Sequence, residues 1–472
     1  MSYGLKRISL IYWIIVIVYL SYCFFYTPNF YLTIPVILFP LFAFRLFWID
    51  NQPNVLFWGM MLQWLPASTQ LLYSNFLGVT LAERMKEYSF PAEMMEFATL
   101  LSTVGLFAFS IGLYLAVRKL RFSSMDILID KYSPLGILVV YTSFSLVVYL
   151  TTNWIWAFSG FVQYIYLFFY IKWGFFLVAF YVIHKRPNNL RWYFYGFIGL
   201  EIFLGLNSFF AREILLVVMF SILGVLQIQS KLNFKSFAFI TIGVILLVNY
   251  LILWSAIKRD YREFVSNGKV TQSLMVSEEA ARSKYFDLMT GVDDKQYEKG
   301  IEDFVNRLGY IQFFAACLDH VPRVVAHQDG RVYFSALQHY FVPRFLNPDK
   351  EVLDDSKHTA EFTGLKLSGA KEATSFSLGY IADAYVDFGY FYMFPLLLAF
   401  GWLFGFCYQF LVRKSINELW VWILTSPFLL LLNINGADTK KALGGLLIYF
   451  LTVAILRKYL IKIVDPFLRA KR

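Results

Sequence analysis

Twelve stretches of about 18–23 mostly apolar residues recur along this chain, and they decide its architecture before any motif is read. A bilayer core is about 30 Å thick and needs about 20 apolar residues per helix. By that rule spans fall near 8–27, 30–49, 54–74, 95–117, 134–152, 161–183, 192–209, 213–230, 236–256, 390–412, 418–435 and 443–461. Backbone N–H and C=O groups in lipid must pair within the segment, so the expectation is an all-α polytopic membrane protein of about twelve transmembrane helices. Composition agrees. Hydrophobic residues make up 58% of the 472 and charged residues only 16%, where a soluble domain carries roughly a quarter charged. The first apolar stretch, Ile8 to about Tyr26, has no small-residue cleavage site and reads as a span rather than a removable signal peptide.

Short basic loops give the orientation. Lys6 and Arg7 precede the first span; Arg118, Lys119, Arg121 and Lys131 follow the fourth; Lys185, Arg186 and Arg191 follow the sixth. Lys231 and Lys235 follow the eighth, Arg413 and Lys414 the tenth, and the tail carries Arg457, Lys458, Lys462, Arg469, Lys471 and Arg472. With twelve spans all of these lie on one side, read as the cytoplasm, with both termini there. The net charge of +10 is therefore a topology signal and not a nucleic-acid footprint.

The organisation that follows is nine spans over residues 1–256, one large outer loop over 257–378, and three spans with a basic tail over 379–472. The loop holds most of the acidic residues and four of the five histidines. Within it Ile301, Phe304, Val305, Leu308 and Ile311 recur at helical spacing, which predicts an amphipathic helix lying on the membrane or the bundle. Of the cysteines only Cys317 falls in the loop, so no intrachain disulfide framework can form there. No Cys/His spacing suits a metal. The adjacent acids Asp293-Asp294 and Asp354-Asp355 read as solvated pairs rather than metal ligands.

Charge inside a span is costly and asks for a partner. Lys172 lies mid-span, with Glu201 as its candidate partner; Arg45 sits at a span end and snorkels. Arg212 follows LNSFFA in a tight outer turn, where a guanidinium fork suits phosphate oxygens. The loop is denser still: Arg307 in NRLGY; His320, Arg323, His327, Arg331, His339, Arg344 and Lys350 between residues 320 and 350; and Lys371, Glu372, Thr374, Ser375, Asp383 and Asp387 at the start of the tenth span.

These segments resemble a family. FVPRFLNPDK is similar to the Pro-Arg, Pro-Asp-Lys signature in the outer loop of the bacterial O-antigen and exopolysaccharide repeat-unit polymerases, the Wzy-type enzymes. TSFSLGYIADAYVDFGYFYMF resembles their Thr-Ser, Asp-Ala-Tyr, Phe-Gly segment, and NSFFAREILL their short Gly-Ser-Arg turn, with Arg212 at its arginine. The resemblance spans roughly 190–410. It departs at Asn347, where Trp is common, and at Ser208-Phe209-Phe210-Ala211, which replaces the tight Gly-Ser.

The resemblance implies a metal-independent membrane glycosyltransferase without a cofactor, acting at the outer face of the bacterial inner membrane on a polyprenyl-diphosphate-linked oligosaccharide. It implies chain-length-regulator and flippase proteins as partners, beside membrane lipid and no nucleic acid. Such chemistry needs cations to hold the diphosphate and disperse its charge, and a base to deprotonate a sugar hydroxyl. Arg212, Arg307, Arg344 and Lys350 are the candidate binding residues, and His339, Glu372 and Asp383 the candidate bases. The rivals are a ligase moving finished glycan to another acceptor, and a flippase or transporter for the same lipid. Repeated halves and broken helices around a midplane site, which would favour transport, are not evident in the sequence.

Overall fold

A computed structural model describes residues 9–85, 90–152, 154, 162–185, 189–207, 211–228, 234–268, 275–341, 354–367, 375–431 and 438–470. Among these the only β pairing is a single bridge between Tyr132 and Arg469. The first helices are α1 (Leu10–Tyr26), α2 (Phe30–Phe47), α3 (Val55–Leu77), α4 (Leu81–Arg84) and α5 (Glu93–Val117). Then come α6 (Pro134–Thr152), α7 (Val162–Phe169), α8 (Ile171–Lys185), α9 (Leu190–Asn207), α10 (Ala211–Ile228) and α11 (Phe234–Val265). Five polar or short helices follow: α12 (Glu278–Thr290), α13 (Asp294–Leu308), α14 (Ile311–His320), α15 (Arg331–Phe341) and α16 (Asp355–Thr363). The chain closes with α17 (Tyr380–Lys414), α18 (Glu418–Thr425), α19 (Phe428–Leu431) and α20 (Thr439–Leu468).

The protein is an all-α, multi-pass membrane protein. Each of the twelve apolar stretches falls on helix where it is described. Six segments are long and apolar enough to cross a membrane: Phe30–Phe47, Glu93–Val117, Pro134–Thr151, Val162–Lys185, Ile240–Val265 and Tyr380–Lys414. Leu10–Tyr26, Ile214–Ile228 and Glu418–Leu431 are apolar but shorter. The stretch read as 418–435 breaks between α18 and α19 at Ser426-Pro427, where proline has no N–H for the helical ladder.

Two boundaries differ most from the sequence reading, each for a packing reason. The ninth span does not stop at residue 256. Helix α11 continues to Val265 because Trp254, Ile257, Tyr261 and Val265 form a satellite core with Ala281 of α12. The tenth helix starts at Tyr380, ten residues before the apolar stretch, and is broken at Gly389 (φ 68°, ψ −167°). Only glycine adopts that conformation readily. The segment 380–388 is thus a separate short helix standing on the long one.

Helices α5 and α17 run parallel in close backbone contact. A Cβ at Gly112 would meet the Leu398 carbonyl, one at Gly401 the Phe109 carbonyl, and one at Gly405 the Ala116 methyl. Small residues spaced by four let backbones approach without a hydrophobic drive from water. This pair forms the wall on which the first turn of α17 is held.

The intramembrane charge finds the partner expected of it. Lys172 Nζ lies 2.9 Å from Glu201 Oε1, and Tyr141 Oη donates to Glu201 Oε2 at 2.8 Å. Both side chains of the pair are largely buried, at 12% and 9% exposure. Removing one partner of a buried pair costs about 3–5 kcal/mol, whereas replacing both by apolar groups is often neutral. Glu201→Leu should therefore lower the melting temperature of the detergent-purified protein markedly. Lys172→Met with Glu201→Leu should recover most of the loss. A double variant as unstable as the single one would refute the pairing.

Helices α12–α16 pack on one end of the bundle. The amphipathic helix read from the sequence is α13, and it lies on α3 and α11. Tyr73 Oη donates to Glu302 Oε1 at 3.0 Å, Arg84 meets Glu302 at 2.7 Å, and Gln70 Nε2 donates to Asn306 Oδ1 at 3.0 Å. The helix ends at Leu308 with Gly309 as its C-cap, so Ile311 belongs to α14. That helix is buried from Ile311 to Leu318 and packs against α5 and α16.

Candidate functional site

Helix α16 is nine residues long. The Asp354 carboxylate accepts from Lys357 N at 3.2 Å at its start, and Gly364 in the left-handed region (φ 69°) ends it. Asp355 and His358 stand three apart, hence on one face. That face looks at the first turn of α17 and the N-terminus of α20. His358 Nε2 donates to Asp383 Oδ1 at 2.8 Å, and Thr439 N donates to Asp383 Oδ2 at 2.7 Å. Asp383 is fully buried. Both of its carboxylate oxygens are thus engaged.

Asp355 is the second anchor. Its Oδ2 accepts from Lys441 Nζ and, at 2.9 Å, from Ser375 Oγ; Lys441 also donates to Ser375 at 3.1 Å. Its Oδ1 is buried and has no hydrogen-bond partner among the described residues. Asp438 caps α20, accepting from Lys441 N at 2.7 Å. The segment 375–376 is pinned to α16 by Thr359 Oγ1 donating to Phe376 O (2.7 Å) and Phe376 N donating to Ser356 Oγ (3.1 Å). Asp387, one turn beyond Asp383, accepts from Val332 N and Tyr333 N, both at 3.0 Å, and so caps α15. The buried carboxylates of Asp355, Asp383 and Asp438 therefore lie within electrostatic range of one another and of His358.

Their charges are coupled. Burial pulls the His358 imidazole down, but the Asp383 carboxylate and its hydrogen bond, helped by Asp438, outweigh it, and the net shift is upward. Burial, then the Asp355 and Asp383 carboxylates, push the Asp438 carboxyl up to about 7. Like charges held together in low dielectric resist simultaneous ionisation.

A cation cluster lies on the neighbouring side. Lys258 and Arg262 occupy one face of α11 four residues apart, and α13 brings Arg307 within electrostatic range of both. None of the three makes an ion pair within 4 Å among the described residues. Tyr310 joins the two clusters. Its phenol is raised by burial, opposed by Arg307 and reinforced by Asp355.

Of the residues singled out from the sequence, Arg307, Ser375, Asp383 and Asp387 enter this arrangement. His339 is half-buried on the last turn of α15, its ring edge-on to Tyr340 (centroids 5.3 Å), and the Tyr340 phenol feels Asp438 and Asp355. Arg212 is on the first turn of α10, but its side chain lies outside the described residues, as do Arg344, Lys350 and Glu372. His358, Asp438, Lys441, Lys258 and Arg262 escaped the sequence reading. The acid pairs read as solvated are helix starts: Asp293 accepts from Gln296 N at 2.8 Å in a capping box, as Asp354 does from Lys357. Among the described residues no group of three or more His, Cys, Asp or Glu side chains could hold a metal ion.

A family model described as "Domain of unknown function (DUF8712)" matches residues 54–415, which carry α3 to α17. No curated protein and no solved structure matches the chain.

Proposed function

The chain belongs to the DUF8712 family, and we propose that it is a membrane glycosyltransferase extending polyprenyl-diphosphate-linked oligosaccharides at the outer face of a bacterial inner membrane. The observation that supports this reading is a buried His–Asp pair in the same outer region as three basic side chains, Lys258, Arg262 and Arg307, that make no ion pair within 4 Å among the described residues, with Tyr310 in electrostatic range of both Arg307 and Asp355. A glycosyl diphosphate already holds a good leaving group. What it requires is dispersal of the charge that develops on the diphosphate, and removal of a proton from the attacking hydroxyl. Lys258, Arg262 and Arg307 supply the first. His358, oriented through Nε2 by Asp383, supplies the second through its other ring nitrogen. The attacking oxygen forms the new bond to the anomeric carbon, the carbon–phosphate oxygen bond breaks, and the diphosphate leaves with the electron pair.

The basic short loops support cytoplasmic termini and an outer location for α12–α16. The resemblance to repeat-unit polymerases favours polymerisation over ligation. Glycan analysis of a deletion strain tests the reading. The expected product is surface glycan one repeat unit long. Glycan absent from the surface with single units trapped inside would indicate a flippase, and full-length chains left on the lipid would indicate a ligase. Either would overturn it.

A further inference from the structure

Helices α5 and α17 fix the depth of the membrane boundary. Arg118-Lys119 follows α5 and Arg413-Lys414 ends α17. Such charges sit at headgroup level and not in hydrocarbon. At 1.5 Å per residue, a core of about 30 Å carries each helix back about 20 residues, to the neighbourhood of Phe97 on α5 and Met393 on α17. The rings of Phe97 and Tyr390 meet there, with centroids 5.3 Å apart, so the two helices give the same plane. Tyr390 and Tyr392 are exposed at it, as aromatic residues are at a headgroup boundary. Below it Phe391, Leu398, Trp402 and Phe406 recur at helical spacing as one exposed stripe, the lipid-facing side of α17.

The turn before α15 is fastened to this plane. Gln328 N donates to Val386 O at 2.9 Å, and Asp329 N to Asp387 O at 3.0 Å. A Cβ at Gly330 would lie 3.1 Å from the Phe388 ring. The start of α15 thus stands within about one helical turn, roughly 5 Å, of the boundary. Its exposed side chains include Arg331 and Phe334, three residues apart and so on one face. Phe334 is 68% exposed, and Val324 and Phe388 are exposed beside the same turn.

We infer that this face of α15 and its turn is seated in the phospholipid headgroup layer on the side opposite the basic loops. Phe334 and Phe388 point their rings toward the acyl chains, and Arg331 meets the phosphate oxygens of anionic lipid. Continuity favours lipid as the occupant: the exposed residues at 388, 391 and 392 lead directly onto the lipid-facing stripe. Charge agrees, since a long cation beside an apolar ring suits a surface that is greasy below and anionic above. The seating sets the height of α15, whose far end brings Tyr340 within range of Asp438 and Asp355. It does not depend on the chemistry proposed for His358.

The test uses the full-length protein in nanodiscs of phosphatidylcholine and phosphatidylglycerol. The native cysteines Cys23, Cys317 and Cys407 are buried, so Phe334→Cys takes a thiol-reactive fluorophore selectively, and Val324→Cys supplies a second label position. Emission from both should be quenched by lipid brominated near the headgroup, less by lipid brominated at the chain end, and little by aqueous iodide. Glu279→Cys, on an exposed position of α12, should prefer iodide. Placing the bromine on phosphatidylglycerol should strengthen the quenching at 334. Arg331→Ala should reduce that advantage by about fivefold, the weight of one basic residue at an anionic surface. Iodide quenching at 334 and 324 like that at 279, with brominated lipid silent, would put the face in water and overturn the seating. Quenching by neither agent would mean that a second copy of the chain covers it, which overturns the seating as well.

Discussion

Exchange of His358 for alanine is expected to lower chain extension by about a hundred- to ten-thousandfold, the range attributed to a positioned general base, with membrane abundance near that of the wild type. The side chain sits at the rim of the cluster and is 12% exposed. Its loss removes one hydrogen bond from Asp383, which keeps the bond from Thr439 N. The pH profile separates a base from a structural histidine. The imidazole is shifted above its ordinary value of about 6.5, and the base is the neutral form. Activity should therefore rise with pH on a limb centred above that value. Asp383→Asn removes the charge that raises the imidazole, so the limb should move to lower pH while the maximum rate falls. Unchanged glycan length in a well-expressed His358→Ala strain would remove this residue from the chemistry. A limb that ignores Asp383→Asn would assign it to another group.

The twelve apolar stretches told where helices lie because the bilayer permits little else: an unpaired backbone group in lipid costs several kcal/mol. Helix ends were less legible, since they depend on tertiary partners. Nothing local in IKRDYREFV announces that Tyr261 and Val265 will find Ala281. Likewise, nothing in the hydropathy of 380–389 shows that α5 will hold it as helix. The Gly401–Gly405 spacing was readable as a close-approach motif, although its partner α5 was not.

The site divides in the same way. Asp383 stood out because it lies in a dense polar segment at a span boundary. His358 had a signal that went unused: Asp355 and His358 at i, i+3 within a short segment ended by glycine. Lys441 and Asp438 carried no such sign, because they meet Asp355 and Asp383 only across 50 to 90 residues of chain. Lys258 and Arg262 follow directly on the apolar stretch that ends at residue 256 and belong to no motif. Their role depends on α13 folding back over α11, which no local pattern encodes.

That fold-back gives the cation cluster its own expected result. Arg307→Ala should lower activity by about ten- to a hundredfold, since hydrogen bonds to charged groups contribute roughly 1.5–3 kcal/mol each. Arg307→Lys keeps the charge but loses the planar fork, and should remain impaired if the guanidinium grips two phosphate oxygens. Arg262→Ala with Arg307→Ala leaves Lys258 alone, and should reduce extension below detection. Charge repulsion among the three supplies a control on folding. Taking away one like charge relieves the others, so both variants should be at least as thermally stable as the wild type in the absence of substrate. The signature is thus opposite in sign for stability and function, which a merely structural arginine would not give. The Arg323→Ala variant provides the comparison: that side chain pairs with Asp319 at 2.7 Å on an exposed turn, and its loss should change neither quantity by more than a few tenths of a kcal/mol. Assays of chain length beside melting curves decide the matter. An Arg262→Ala, Arg307→Ala protein that extends glycan at the wild-type rate would show that the diphosphate is held elsewhere.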